Sequence, residues 1–415
     1  MVRPAASAGF IWSHVALPAF CALTVAALSA QSARADEFDT FNFVTGSRLR
    51  YESNILQSAD FSIPPPGVSS KADTYNVSYI GLRVDKPVSL QRFQLSATDT
   101  TTHYSSYTFL DNNALDYHAA WLYSITPHVT GSLSSDRTQA QIPFALIGGA
   151  QRNIVTTNSR NFTIDVTGGG VWHLLGGLGT TDLTTEQQQL TVPPTRSRRY
   201  EGGIRYLSNA GNSVTAIYRH IPAELIGQAL DPTLLIDTNY RDSEAEVRAE
   251  WQVTGLSRIE ARLMRKQRTN EHFTQRDFSG TTGEARYNWT PTGKLKFSFA
   301  ATRDLVPYAA FGNVIENSTY RVDDTLSVVS IWEATAKINV QATLLRTESD
   351  FRGPVFPITG PVRADTLTLG RLKADWAITR FATLTAILEH DRRASNVPGF
   401  QFTNTIVSVG AALTF

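Results

Sequence analysis

Cysteine is almost absent from the 415-residue chain: the single one, Cys21, lies near the N-terminus. With no second thiol there is no intramolecular disulfide and no cluster of thiolates for a metal. Net charge is missing too, with 38 Lys and Arg against 37 Asp and Glu. A balance this even gives no strong field to recruit nucleic acid or anionic lipid. Beyond residue 35 no apolar run approaches the roughly 18 residues of a membrane-spanning helix. The histidines and acids show no spacing that would ligate a metal. Gly168-Gly169-Gly170 has no lysine or helix behind it, so it reads as a bend and not a phosphate loop. No cofactor is expected.

The N-terminus has the form of an export signal. Arg3 is the only charge before Arg34, residues 15–30 are almost wholly apolar, and Ala33-Arg34-Ala35 supplies small residues at the cleavage positions. The expected cut follows Ala35 and leaves residues 36–415 as one domain. Cys21 falls inside the signal, and Pro18-Ala19-Phe20 before it makes a poor lipoprotein box. Residues 1–35 hold two arginines and no acid, so the remainder carries 36 basic and 37 acidic groups. If that remainder spans a membrane, it does so as a closed barrel, because lipid leaves no other way to pair the backbone.

What the chain does have is strands. Eighteen segments show strand character: 40–52, 73–85, 89–104, 113–125, 127–139, 158–169, 171–184, 196–208 and 211–221, then 237–252, 256–269, 278–290, 294–305, 318–331, 335–349, 364–378, 381–392 and 402–415. These exceed the soluble strand of about 5–6 residues and suit tilted membrane strands of about 9–11. Links between them alternate short and long, nine long and eight short. The expected fold is therefore all-β: a transmembrane antiparallel barrel of about 18 strands, with short periplasmic turns and long extracellular loops. Sixteen strands is the alternative, because 158–169 and its neighbour are weakly patterned. Trp121, Trp251, Trp289, Trp332 and Trp376 sit beside short turns, as an interfacial girdle requires.

Alternation assigns the faces. Ala245, Val247, Ala249 and Trp251 interleave with Glu244, Glu246, Arg248 and Glu250. Ile259, Ala261 and Leu263 stand against Arg258, Glu260, Arg262, Lys266 and Arg268. Leu295, Phe297 and Phe299 oppose Lys294 and Lys296, and Ile338 and Val340 oppose Lys337. A basic residue at mid-bilayer costs about 2–4 kcal/mol, so the charged series must point into the lumen. Arg92 and Gln94 are placed there as well, with Phe93 and Leu95 towards lipid.

The last residues alternate the same way, Phe415, Leu413, Ala411, Val409 and Val407 being apolar, with Ile406 the exception on the other face. Ser408, Gly410, Leu413 and Phe415 resemble the insertion signal of bacterial outer-membrane barrels, which implies contact with the barrel-assembly machinery.

A second resemblance rests on Gly81-Leu82-Arg83-Val84-Asp85-Lys86-Pro87-Val88-Ser89-Leu90-Gln91-Arg92-Phe93-Gln94-Leu95, with Leu115-Asp116-Tyr117, Trp121 to Pro127, Gln151-Arg152-Asn153 and Trp172-His173-Leu174. Together they resemble the EpsL-type outer-membrane proteins associated with exopolysaccharide biosynthesis and export. The resemblance implies export of a polysaccharide through the lumen, with outer-membrane lipid, the secreted polymer and periplasmic export components as partners. It supplies no catalytic residues. Read from the residues alone, Asp85-Lys86-Pro87 is a tight turn. The alternative function is a general or sugar-selective diffusion porin, trimeric, with residues 140–157 as its constriction loop or an outer lid. A hydrolase is the third reading, but His103, His118, His128, His173, His220, His272 and His390 form no recognisable nucleophile arrangement.

Overall fold

In a computed structural model, residues 40–144, 150–187, 192–307, 318–354 and 360–415 are described. The expected signal segment, residues 1–35, lies outside them. The chain forms one closed sheet of 18 antiparallel strands. The first nine are β1 (Phe41–Glu52), β2 (Asp73–Val88), β3 (Gln91–Tyr104), β4 (Asn112–Thr126), β5 (Val129–Gln141), β6 (Ile154–Thr167), β7 (Trp172–Thr185), β8 (Thr195–Leu207) and β9 (Ser213–Leu225). The second nine are β10 (Asn239–Thr254), β11 (Ser257–Asn270), β12 (Phe278–Thr292), β13 (Leu295–Pro307), β14 (Ser318–Glu333), β15 (Ile338–Pro354), β16 (Ala364–Ala377), β17 (Ala382–Ser395) and β18 (Phe402–Thr414). Every strand pairs with its sequence neighbours, and β1 closes on β18. The expected number of eighteen holds, and the sixteen-strand alternative falls because β6 and β7 pair along their whole length, from Val155↔Thr185 to Thr167↔His173.

Closure is a hydrogen-bonded seam. Val44↔Thr414 to Glu52↔Ile406 run in continuous register, and Phe43 and Phe415 exchange both backbone bonds at 2.9 Å. The Phe415 ring stacks on Phe381 at 6.3 Å between centroids. At the other end of the seam Glu52 accepts from Tyr75 Oη and Asn404 Nδ2, both at 2.8 Å. Ile406 and Ser408 point inward, while Val407 and Val409 face out.

Period-two alternation sorts the side chains. All six tryptophans from Trp121 to Trp376 are exposed on the outer surface at the short-turn end. Trp172 packs edge-on to Tyr206, Trp121 stacks on Phe93, and Trp289 stacks on Phe297. A girdle of rings half in lipid and half in water is the arrangement tryptophan favours. With its apolar outer belt, aromatic girdle and unequal ends, this barrel is a bacterial outer-membrane protein.

Two details differ from expectation. The turn read at Asp85-Lys86-Pro87 lies two residues on: β2 continues through Pro87↔Arg92, and the reversal is Ser89-Leu90, with Ser89 at φ 55°. A two-residue hairpin needs positive φ at its first central position, which Ser89 supplies without glycine. The second difference concerns the loops. Residues 53–72 fold against the inner wall, where Ile55, Leu56 and Val68 join Tyr75, Tyr104, Tyr107 and Leu110 in one apolar cluster. Phe144 reaches the same cluster, but residues 145–149 of the segment expected to constrict the lumen lie outside the described residues.

Close approach at the seam requires Gly46. A Cβ there would meet Tyr79 Oη at 2.6 Å and the Ala411 carbonyl at 2.8 Å, and backbone cannot step aside. Gly202 has nothing within 4 Å of its Cβ position. Gly46→Ala is therefore expected to destabilise the folded barrel by about 1–3 kcal/mol, and Gly202→Ala to leave it unchanged. Urea unfolding in lipid vesicles measures both; equal midpoints would show that the seam tolerates the methyl group.

Candidate functional site: the charged inner wall

Strands β8 to β11 bring their charges together on the inside. On β10, Glu244 and Glu246 are 1% and 3% exposed, whereas Val247 between Glu246 and Arg248 is 51% exposed to the outside. On β11 the register sets Glu244 opposite Lys266, Asp242 opposite Arg268, and Arg248 opposite Arg262. The last pair is like-charged, and Glu246 relieves it: Arg248 reaches it at 2.8 Å and Arg262 at 4.0 Å. Arg262 also meets Asp304 at 3.7 Å. Arg268 forks onto Asp242 with two bonds of 2.7 Å and lies 3.7 Å over the Tyr240 ring. Lys266 stands between Asp242 and Glu244 at 3.5 and 3.6 Å.

The residues that complete this cluster come from strands that the charge pattern alone did not single out. Arg219 on β9 donates to Glu246 at 3.0 Å and to Glu201 at 3.1 Å, and Glu244 is 3.6 Å away. Arg199 on β8 stands 3.7 Å from Glu201 and donates to Asn161 at 2.9 Å. Glycines on β7 make room for this. A Cβ on Gly177 would strike the Glu201 carboxylate at 2.4 Å, and one on Gly179 would meet Asn161 at 2.8 Å and Arg199 at 3.3 Å. The long side chains therefore lie flat along the wall. The signal missed in the sequence is that glycine pair, set opposite a strand with arginines on both faces.

The other expected lumen residues fall in three places. Arg92 grips Asp85 through two bonds of 2.6 Å, and Gln94 joins at 3.2 Å, so both sit on the inner wall near the short turns. Arg258 pairs with Glu250 and, at 3.3 Å, with Glu260; Lys296 pairs with Glu333 at 2.6 Å. Lys294 and Lys337 stand one residue before β13 and β15, and their carbonyls accept from Glu333 and Ala377, both at 2.8 Å. Lys337 reaches the Ile378 carbonyl of the next turn at 3.4 Å.

Several histidines pair with carboxylates: His103 with Asp111, His118 with Asp136, His173 with Asp165, and His272 with Asp237. Among the described residues no hydrogen bond joins these rings to a serine, so no Ser-His-Asp relay is assembled. Asp237, Glu271 and His272 cluster in the outer links. The Asp237 carboxylate is already taken by the N–H groups of Thr238 at 2.7 Å, His272 at 2.6 Å and Phe273 at 3.1 Å, and by the His272 ring at 2.9 Å. This is a loop staple. A surface concavity of about 730 Å³, lined by Tyr287, Phe299, Leu326 and Leu344, opens to lipid and is no solute site.

The fold and its wall define an outer-membrane β-barrel of porin-like architecture. No protein-family model and no curated protein matches the chain. Solved structures do. OpdK of Pseudomonas aeruginosa shares 10% identity at a TM-score of 0.50, over 90% of this chain and 99% of that one. OccK9 (OpdG) of the same organism shares 12% at 0.51, over 90% and 98%. OccK2 (OpdF), also from that organism and solved in complex with glucuronate, shares 9% at 0.50, again over 90% and 98%. At such identities the likeness is one of fold. It is a likeness to the Occ/Opd porins and not to EpsL-type proteins, so the resemblance drawn from residues 81–95 and the polysaccharide-export function it implied are corrected. The physical reason lies in the string itself. Asp85, Arg92 and Gln94 form one ion-paired cluster, Ser89 makes the turn, and Phe93 stacks on Trp121. Those are hairpin and girdle duties that any barrel of this build imposes.

Two outcomes follow. Arg219→Gln leaves Glu244 and Glu246 short of their shared buried cation and should cost about 3–5 kcal/mol. Arg346→Gln, breaking an exposed pair with Glu348, should cost under about 1 kcal/mol. Urea midpoints of the two variants decide; similar values would mean the wall network contributes little. The second concerns the staple. Burial alone would raise Asp237, but the His272 side chain and the N–H groups of His272, Phe273 and Asn239 overcome it and take the carboxyl from 3.8 down to about 2. The same carboxylate raises His272 above 6.5. The staple is complete above the unfolded Asp value and below the unfolded His value, between pH 3.8 and 6.5. It weakens as pH climbs through the raised His272 value, and again as pH falls through about 2. Hydrogen exchange at residues 271–277 should therefore show greatest protection inside that window; protection that rises steadily above pH 7 would contradict it.

Proposed function

We propose that this barrel is a passive diffusion channel, selective for small polar solutes of sugar size, and not an enzyme. The observation that carries the reading is the inner wall: a dense set of charged groups on β8 to β11, held flat by cross-strand pairing, with residues 53–72 packed against β2 and β3 at the outer end of the same barrel. A solute crossing such a wall meets many weak partners. Conduction needs sites that bind and release, and groups already paired to one another bind a passing hydroxyl or carboxylate without trapping it. A barrel of the same architecture, OccK2 (OpdF), is in complex with glucuronate, which supports a sugar-sized solute. The lipid partner is the outer membrane itself, and the C-terminal strand is the segment offered to the assembly machinery.

Purified protein in planar bilayers tests the reading. It should give discrete ohmic steps, and removal of residues 56–70 should raise the step size by clearing the inner wall. A sugar or sugar acid on one side should reduce the current in a concentration-dependent way. Absence of conductance from correctly folded protein, or a current that no small solute alters, would defeat it.

A further inference from the structure

On the lipid face of β13 to β15, arginines near the outer edge are paired with carboxylates. Arg303 holds Asp324 through bonds of 2.7 and 2.6 Å, and Arg346 holds Glu348 at 2.7 Å. Across the barrel, β6, β7 and β8 are arranged differently. Arg160, Thr180 and Arg198 occupy one hydrogen-bonded row, Arg160↔Thr180 and Thr180↔Arg198. All three are exposed. They share the outward face with Phe162, Leu178 and Tyr200, the next row towards the periplasm, each of which is exposed to lipid. Among the described residues no carboxylate lies within ion-pair distance of either arginine; Asp182, the acid on the row above, is taken by Arg196 at 2.8 Å.

Height fixes where this row sits. Trp172, at the girdle, starts β7, and Thr180 follows it by eight residues. At about 3.3 Å per residue and a tilt of 35–45°, the row stands roughly 20 Å above the girdle, at the outer margin of an apolar band about 25 Å tall. Two guanidinium groups two strands apart, about 10 Å from each other, thus stand at headgroup level over an apolar shelf.

We infer that Arg160 and Arg198, above the Phe162–Leu178–Tyr200 row, form a binding site for a phosphorylated lipid of the outer leaflet. Each guanidinium presents a fork that matches phosphate oxygens, and the Thr180 hydroxyl between them adds a donor. The acyl chains lie against the aromatic and aliphatic row below. Basic groups at this level are how proteins capture anionic headgroups, and an arginine left at a lipid margin without a carboxylate needs an anion from its surroundings. The near-zero net charge of the chain argues only against a global field; this patch is local.

The test uses the full barrel folded in a neutral detergent, titrated with diphosphoryl lipid A, with bound lipid counted by native mass spectrometry. The Arg160→Gln/Arg198→Gln pair should bind about tenfold more weakly than wild type or worse, the loss expected when forked charge-assisted bonds go. Arg303→Gln should leave affinity unchanged, because Asp324 already holds that side chain. Dephosphorylated lipid A should bind wild type no better than the glutamine pair does. Equal binding by wild type and the pair, or equal binding of the dephosphorylated lipid, overturns the inference. So does displacement by inorganic phosphate at concentrations comparable to the lipid, which would mark a free-anion site. Heat-modifiable gel migration confirms the fold of each variant. If the glutamine pair fails to fold, Arg160→Lys/Arg198→Lys replaces it and should bind more weakly than wild type, since lysine keeps charge but loses the fork.

Discussion

Hydrocarbon offers no water to satisfy a peptide group, and this one fact governs the molecule. Every N–H and C=O in the spanning region must find a partner in the same chain, which for strands means a sheet with no edge. The seam between β1 and β18 is where that requirement is met last. Its register runs unbroken from Val44↔Thr414 to Glu52↔Ile406, and it draws together residues more than 350 positions apart, as in the bond from Asn404 to Glu52. Gly46 lets the strands approach, and Phe43 and Phe415 finish the ladder at the periplasmic rim. Once the sheet is shut, a period of two separates lipid from lumen on all eighteen strands.

The inner wall answers a second constraint. Charges excluded from lipid crowd onto the concave face, where they are partly desolvated and must neutralise one another. Arg219, Glu246, Glu201 and Glu244 do so across three strands. Pairing of this kind has a geometric consequence, because a side chain tied to its neighbour lies along the wall and not across the lumen. Gly177 and Gly179 enforce that posture by removing the Cβ atoms that would prop Glu201 and Arg199 upright. Stability of the wall and width of the passage are thus set by the same contacts.

Much of this was legible in the sequence because period two is robust. Glu244, Glu246, Arg248 and Arg262 are all inside as alternation requires, and the tryptophans all fall at the short turns. What failed did so where the period ends. Lys294 and Lys337 sit one residue before their strands, so the strand starts read from the sequence come one to three residues early. The turn at Ser89-Leu90 was misplaced because Pro87 usually signals a reversal, yet here it sits within the periplasmic end of β2. The inward fold of residues 53–72 could not be read at all. It depends on Ile55 and Leu56 finding Tyr75 and Tyr104 on the inner wall, and loop length carries no information about which side a loop takes. The string at residues 81–95 misled for the opposite reason: strong local chemistry at a hairpin was mistaken for a mark of function.

Charge balance shows the same difference of scale. Counted over the chain, acids and bases cancel, and from that total no attraction to an anionic surface follows. Counted by face and strand, they do not. Inside, cations and carboxylates on β8 to β11 are interleaved and paired. Outside, β13 to β15 present paired arginines, while β6 and β8 present Arg160 and Arg198 with no carboxylate on their row. A strand can place its acids in the lumen and its arginines in the headgroup layer simply by parity: on β8, Glu201 is odd and Arg198 is even. Screening confines exposed charges to a Debye length of about 8 Å at physiological salt. The acids across the barrel therefore do nothing for these two guanidinium groups.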